Sequence, residues 1–309
     1  MIVVAGEALV DLAPRDGLLA PLPGGSPYNV AVGLGRLGRD TAYLGALSTD
    51  GFGRLLIDQL EDAGVSLAFA PRTAQPTTLA VVHLDDQAMA TYGFYLDGTS
   101  ATQPVHDAVQ LLPERAAVHV SFGAVTAATD PAGPALVELL ATTDGFTSLD
   151  PNVRPTMIAD RAAYAETVDA LVAEVDLVKV SDEDLGLLHP DAGDPLVTAR
   201  RWAGSGPALV VVTRGPDGAI GLRADGTTVE VAGEPVAVAD TVGAGDAFTS
   251  GLLAWCDHAG LLDPDALTAA TDAELIEALQ AAAHTAAVTC TRTGGDPPRR
   301  EELTGAPWT

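Results

Sequence analysis

Basic residues are scarce in this chain. Lys and Arg number 16 among 309 residues, against 42 Asp and Glu, for a net charge of −26. Nucleic-acid binding depends on phosphate neutralisation by Lys and Arg, and adhesion to an anionic membrane needs the same charges, so neither partner is expected. Cysteine is nearly absent. Cys256 and Cys290 have no CxxC or Cys/His spacing, which argues against a disulfide framework or a structural zinc site and leaves two small hydrophobes. His83, His106, His119, His189, His258 and His284 show no metal-ligand spacing, and each is expected at the surface or as a satisfied core residue. Met1 to Glu7 lack a basic n-region, and no apolar run reaches bilayer length, so the cytoplasm is the expected location. Repeats, low-complexity tracts and long linkers are absent too.

What is present suits one large α/β domain. Hydrophobic residues make up 47% of the chain, enough for a sizeable core. Short apolar runs at Ile2–Ala5, Thr41–Leu47, Val118–Phe122, Thr147–Asp150, Leu177–Val180 and Leu209–Thr213 read as strands, and the β-branched continuity of the last marks a buried parallel strand. Helical spacing lies between them, from Asn29, over Arg54–Ala63 and over Pro134–Ala141, and it returns from Asp263 through Ala287. The expected fold is a doubly wound, mostly parallel sheet with helices on both faces. Thr77–Leu84 and Ala90–Leu96 flank Asp85-Asp86-Gln87 and read as a β-hairpin. Ser26 with Pro27 reads as an N-cap followed by proline at the first helical position. Gly33, Gly35 and Gly38 match GxGxxG, but a dinucleotide fingerprint must follow a strand and open a helix. Here the glycines fall inside and at the end of a helix, with Gly38 as its C′ residue, so a nicotinamide oxidoreductase is disfavoured.

The chain is organised around Asp240-Thr241-Val242-Gly243-Ala244-Gly245-Asp246-Ala247-Phe248. The strand-like stretch Glu234–Ala239 runs into it and a helix-like stretch, Ala247 to Cys256, runs out. Small residues let the backbone curl so that several N–H groups face one spot at a helix N-terminus, where the dipole favours an anion. Asp246 in the first turn can act as base toward an attacking hydroxyl while those amides hold phosphoryl oxygens. A plain helix start, with an acid complementing the dipole, would use the same residue types.

The string Asp-Thr-x-Gly-Ala-Gly-Asp resembles the C-terminal signature of the PfkB (ribokinase-like) carbohydrate kinases, closest to their fructokinase branch. The resemblance implies an ATP-dependent sugar kinase with Mg²⁺, in which Asp246 is the base and Gly243, Ala244 and Gly245 form the anion hole. Pro23-Gly24-Gly25 with Asn29 is similar to the family's N-terminal signature, which puts Gly24, Gly25 and Asn29 on the sugar, with Asp11 as a further hydroxyl ligand. Asp150-Pro151-Asn152-Val153-Arg154 resembles fructokinases and 2-keto-3-deoxygluconate kinases, and makes Arg154 a candidate for substrate or phosphate oxygens. The family's Asn-x-x-Glu, which helps hold the Mg²⁺–phosphate region, is here Ser181 and Asp184. Lys179, Ser181, Thr213, Gly215, Gly218, Gly243, Gly245 and Ala283 are the nucleotide candidates, and Asp184 is the metal candidate. Relatives also bind a monovalent cation such as K⁺ between a stretch like 289–295 and the loop before the anion hole, through backbone carbonyls.

The resemblance further implies a discontinuous β lid, about residues 12–23 and 74–100, inserted in a single domain spanning 1–309. Phe94 and Tyr95 lie on it, placed for the sugar, for lid packing or for a homodimer through the lid. Leu96 stands where fructokinase-like relatives carry Arg, and Ala283 where they carry Asn. Ribose, nucleoside or 2-keto-3-deoxygluconate kinases of the same family are therefore alternatives, and a non-catalytic sugar sensor is an alternative of another class.

Overall fold

A computed structural model describes residues 1–15, 17–84, 90–123 and 132–305. The strands in chain order are β1 (Ile2–Ala5), β2 (Leu9–Arg15), β3 (Leu18–Gly24), β4 (Thr41–Leu44), β5 (Leu47–Ser48), β6 (Arg72–Thr73), β7 (Leu79–Leu84), β8 (Ala90–Tyr95), β9 (Ala117–Ser121), β10 (Thr147–Asp150), β11 (Leu177–Ser181), β12 (Leu209–Thr213), β13 (Ala219–Leu222) and β14 (Thr228–Val231). Eight of them form one sheet in the order β14-β13-β12-β11-β10-β9-β1-β4. It is parallel from β4 to β12 and ends in the antiparallel β13 and β14.

Alternation along these strands gives the sheet two faces. Val118, Val120, Leu149, Val178, Val180, Val210 and Val212 pack on one face against Leu136, Leu139, Val168, Leu171 and Trp202. The opposite face begins with Ala117, Leu177, Leu209 and Val211, which pack against Val30, Leu34, Leu252 and Leu279. Toward the strand C-termini that second face turns polar, with His119 and Ser121, Ser148 and Asp150, and Lys179 all buried.

Four strands form a separate sheet, β3-β2-β7-β8, with β2 and β7 parallel and the other two pairings antiparallel. Its small cluster is Leu9, Ala80 and Ala101, joined by Phe94, Leu96 and Met157. Leu18, Leu19, Leu22 and Tyr95 are exposed on it. Asp50 fastens its base. That carboxylate caps the Gly51–Asp62 helix at Gly53 N (2.7 Å) and accepts from Thr77 N (2.8 Å) and Thr77 Oγ1 (2.7 Å).

Four local expectations are changed. The run Thr41–Leu47 divides between β4 in the large sheet and β5, which pairs with β6. Glu234–Ala239 forms no strand. Pro235 supplies no N–H donor, most of the stretch is exposed, and Ala239 N instead meets Cys290 O at the end of the Asp272–Cys290 helix (2.8 Å). The helix after it is longer than expected, Ala244–Ala259, because Gly243 (φ 74°) and Gly260 (φ 73°) close its two ends in the left-handed conformation. The first long helix, Ser26–Arg36, has Gly25 rather than Ser26 at its N-cap, since the Ser26 hydroxyl is used elsewhere. The expected hairpin turn Asp85-Asp86-Gln87 lies outside the described residues. Among the described residues, no helix is long and apolar enough to cross a membrane.

Candidate active site

The site lies at the C-terminal ends of the parallel strands. There β1 has β4 on one side and β9 on the other, and open α/β sheets hold ligands at such reversals of strand order. The chain leaves β1 at Gly6 (φ 141°), where a Cβ would come within 2.6 Å of Pro27 Cγ, so the start of the Ser26–Arg36 helix is pressed onto this edge.

Asp246 sits in the first turn of the Ala244–Ala259 helix. Ser26 Oγ donates to its Oδ1 (2.7 Å) and Asn29 Nδ2 donates to its Oδ2 (2.8 Å). Enclosure pushes the carboxyl above the ordinary carboxylate range. The Asn29 and Ser26 hydrogen bonds and the Lys179 ammonium pull it back, and Asp150 pushes it up again. Around it the helix N-terminus is open. Ala244 N–H donates to Thr241 O (3.2 Å), whereas among the described residues the N–H groups of Gly245 and Asp246 meet no backbone carbonyl. Gly243 is required by contact as well as by φ, because a Cβ there would lie 2.8 Å from Gly295 Cα. A Cβ at Gly245 would lie 3.2 Å from Lys179 Nζ, so two amides and an ammonium share one small space.

Lys179 is buried and paired with buried Asp150 (3.0 Å). Burial alone would lower its pKa, but the carboxylates of Asp150, Asp184 and Asp246 reverse that and raise it, so the ammonium stays charged. Asp184 is half-buried. Burial and then Asp150 push it up to about 6, against the opposing pull of Lys179, the Ser181 hydroxyl and Arg154. Ser181 caps the Asp182–Leu188 helix, its Oγ accepting from Asp184 N (3.0 Å). No cluster of three His, Cys, Asp or Glu side chains suited to a metal occurs among the described residues. A single carboxylate fits Mg²⁺ nonetheless, since this ion keeps several waters and is bound through one or two carboxylates together with substrate phosphates.

The expected sugar ligands converge from the other side. Asp11 on β2 is pushed up to about 6, first by burial; Arg154 lowers it and Asp246 raises it, so the three lie within electrostatic reach. Arg154 is exposed, its guanidinium donating to Val153 O (3.0 Å). A Cβ at Gly24 would fall 2.4 Å from Asp11 Oδ2, and one at Gly25 (φ 105°) 2.8 Å from Glu7 O. Only glycine leaves that carboxylate accessible. Phe94 packs within the small sheet's own cluster.

The remaining nucleotide candidates lie further along the sheet. Thr213 pairs with Ser181 in register, and its Oγ1 donates to Val180 O (3.4 Å). Gly215 (φ 54°) and Gly218 (φ 89°) bracket the tight turn that follows, where a Cβ on Gly218 would meet Val231 O at 2.1 Å. Ala283 packs against the core, and its neighbour His284 pairs with Glu234 (2.7 Å). The loops named for a monovalent cation also meet, because Asp240 Oδ2 accepts from Gly294 N (2.8 Å). The sequence reading missed Ser26 as a partner of Asp246 and missed the buried row His119, Ser121, Ser148 and Asp150. Polar residues at alternate positions of otherwise apolar strands were the available signal.

Known proteins are similar to the chain in both sequence and fold. Residues 3–302 match the pfkB family of carbohydrate kinases. The chain is 38% identical over 262 residues to a fructokinase of Rhizobium leguminosarum bv. trifolii, covering 82% of this chain and 79% of that one. A double mutant of the fructokinase from Vibrio cholerae O395, solved with fructose, ADP and potassium ion, superposes with a TM-score of 0.81 at 26% identity, covering 95% and 93%. Aminoimidazole riboside kinase from Salmonella enterica, solved with aminoimidazole riboside and an ATP analog, also gives 0.81 at 26% identity, covering 95% and 94%.

Proposed function

The chain belongs to the pfkB family of carbohydrate kinases, and from that membership we propose that it is a fructokinase, moving the γ-phosphoryl group of ATP to a hydroxyl of fructose. The observation that carries the chemistry is Asp246, fixed by Ser26 and Asn29 beside the open N–H groups of its helix. Asp11, Gly24, Gly25, Asn29 and Arg154 hold the sugar so that one hydroxyl faces Asp246. Its carboxylate takes the hydroxyl proton as the oxygen bonds to phosphorus and the bond to the ADP oxygen breaks. The helix N-terminus and Lys179 meet the charge on the transferring group. Gly243 to Gly245 bound the anion hole, and Ser181, Thr213, Gly215, Gly218 and Ala283 line the path toward the rest of the nucleotide. Mg²⁺ held through Asp184 would supply further neutralisation of the phosphates.

Fructose is favoured by sequence rather than by fold. Relatives named fructokinase reach 38% identity, while the structural likeness to a riboside kinase equals that to a fructokinase. A riboside or another sugar is the second reading, and Leu96, in the place of the relatives' Arg, favours it. The four-stranded sheet is the proposed lid, excluding water from the transfer. Its exposed Leu18, Leu19, Leu22 and Tyr95 support pairing with a second copy. K⁺ beside the Asp240–Gly294 contact and a cytoplasmic location complete the proposal.

The test is ADP release with ATP and Mg²⁺ across fructose, ribose, 2-keto-3-deoxygluconate, adenosine and a blank. Strong preference for fructose is expected. Preference for another acceptor keeps the mechanism and moves the substrate, and no acceptor above the blank would overturn the kinase reading in favour of a sugar sensor.

A further inference from the structure

Behind Asp246 a line of buried polar side chains runs into the sheet. Ser26 Oγ lies 2.7 Å from Asp246 Oδ1 and 3.1 Å from Ser121 Oγ. Ser121 Oγ lies 3.2 Å from His119 Nε2, and His119 Nδ1 lies 2.9 Å from Ser148 Oγ. All four of these residues are buried, with Ser26 the most accessible at 8%. None is needed to build a strand or cap a helix, and each is buried with a polar partner.

We infer that Ser26 is a positioning residue for the Asp246 carboxylate, and that Ser121, His119 and Ser148 form a hydrogen-bonded line behind it whose donors turn toward that carboxylate when it is ionised. The direction follows from counting protons. An ionised carboxylate only accepts, and a hydroxyl has one proton. Ser26 is placed to donate to Asp246 Oδ1 and to Ser121 Oγ alike, so when Asp246 is ionised its one proton goes to the carboxylate, at the shorter distance, and Ser121 turns its own proton toward Ser26. Ser121, its proton used, accepts from His119 Nε2–H. Burial pushes His119 down to about 4, with Asp150 raising and Lys179 lowering it, so the ring is neutral near pH 7 and bare at Nδ1. Ser148 then donates to Nδ1, its other acceptor, Val118 O, being longer at 3.5 Å. The Nε2–H tautomer of His119 satisfies the line from end to end when Asp246 accepts at its head; with Asp246 protonated, Ser26 donates to Ser121, Ser148 donates to Val118 O, and the line runs the other way through the Nδ1–H tautomer. The hydrogen bond from Ser26 thus favours the base form of Asp246 against its enclosure, and the line behind it couples the His119 tautomer to that charge. Together with Asn29 on Oδ2, the Ser26 bond fixes both oxygens in the direction that proton abstraction needs.

The inference rests on the kinase reading for its consequence, so the test has two arms. The first follows kcat/KM for the preferred sugar against pH in wild type, Ser26→Ala, Ser121→Ala and Ser26→Thr. Lys179 on β11, Asp150 on β10 and Asp11 on β2 are the charged groups that act on Asp246 or feel its charge, and they are the same in every variant. Ser26→Ala should lower kcat about tenfold or more with KM for ATP unchanged, and move the acid limb upward by about one pH unit. Ser121→Ala should move it less, and Ser26→Thr should restore it. An acid limb unmoved in Ser26→Ala would overturn the positioning role.

The second arm needs no turnover and no variant at Ser26. In full-length protein labelled with ¹⁵N-histidine, the His119 resonances, assigned by their loss in His119→Gln, should show protonated Nε2 and bare Nδ1 down to about pH 5. The opposite tautomer, or a charged ring at neutral pH, would overturn the chain. Wild type inactive toward every acceptor, with the expected tautomer present, would instead mark failure of the kinase reading alone.

Discussion

The two faces of the central sheet are built from the same strands and do different work. On one face β9, β10, β11 and β12 present Val118, Val120, Leu149, Val178, Val180, Val210 and Val212, apolar from end to end. On the other, the same strands start with Ala117, Leu177 and Leu209 and finish with His119, Ser121, Ser148, Asp150 and Lys179, equally buried. The first face only holds helices. The second begins as core and ends as chemistry, with the polar groups confined to the edge where the Ala244–Ala259 helix brings Asp246. Buried polar groups are tolerated there because each is paired, and the pairing also aims them.

The comparison would break most sharply at Asp246. Asp246→Asn should retain fold and sugar binding while turnover drops about 10²–10⁴-fold; ADP release together with thermal melts in the sugar checks both halves, and near-wild-type turnover would sink the assignment. Lys179→Met leaves Asp150 buried without its cation. The expected loss is about 3–5 kcal/mol in urea unfolding, along with turnover. Adding Asp150→Asn should recover part of the stability and none of the activity. The apolar face should respond in the opposite sense. Leu149→Ala, at a fully buried position, should cost about 2–5 kcal/mol, with turnover per folded molecule unchanged. Equal damage to turnover there would erase the division between the faces.

The smallest expected effect concerns pH. The Asp11 carboxyl is raised from 3.8 to about 6 in the folded protein, so the fold favours its protonated form. That contribution is present below 3.8, fades as pH rises through about 6 and is absent above it. Asp11→Asn should therefore melt higher than wild type above pH 6, match it in acid, and lose the protection that sugar gives. A variant no more stable than wild type at neutral pH would contradict the sign.

The apolar face was easy to read in the sequence, because β-branched runs such as Leu209–Thr213 report burial directly. The turn proposed to carry the chemistry was legible for another reason: Gly243, Ala244, Gly245 and Asp246 are consecutive and, with Asp240 and Thr241, resemble a family signature, where the short pattern alone would equally suit a plain helix start. Ser26 shows the limit. Ser followed by Pro at a helix start reads as a cap, and nothing local reveals that its hydroxyl turns to a helix far along the chain. His119 was expected at the surface or as a satisfied core residue, and it is the second; what satisfies it depends on strand register. Glu234–Ala239 failed as a strand because β propensity cannot report that the stretch is mostly exposed and that Ala239 N–H turns to Cys290 O.

The hydrogen bond from Ser26 to Asp246 joins residues 220 positions apart, and that separation has a consequence during synthesis. Contacts so distant in sequence form late, after the intervening loop entropy has been overcome. A growing chain can pair β1, β4 and β9 while the helix that carries Asp246 has yet to leave the ribosome. Until that helix docks, the loops proposed to bind the sugar and the proposed base are on separate bodies, and no chain that ends before residue 246 holds both. A chain of that length is expected to leave ATP untouched.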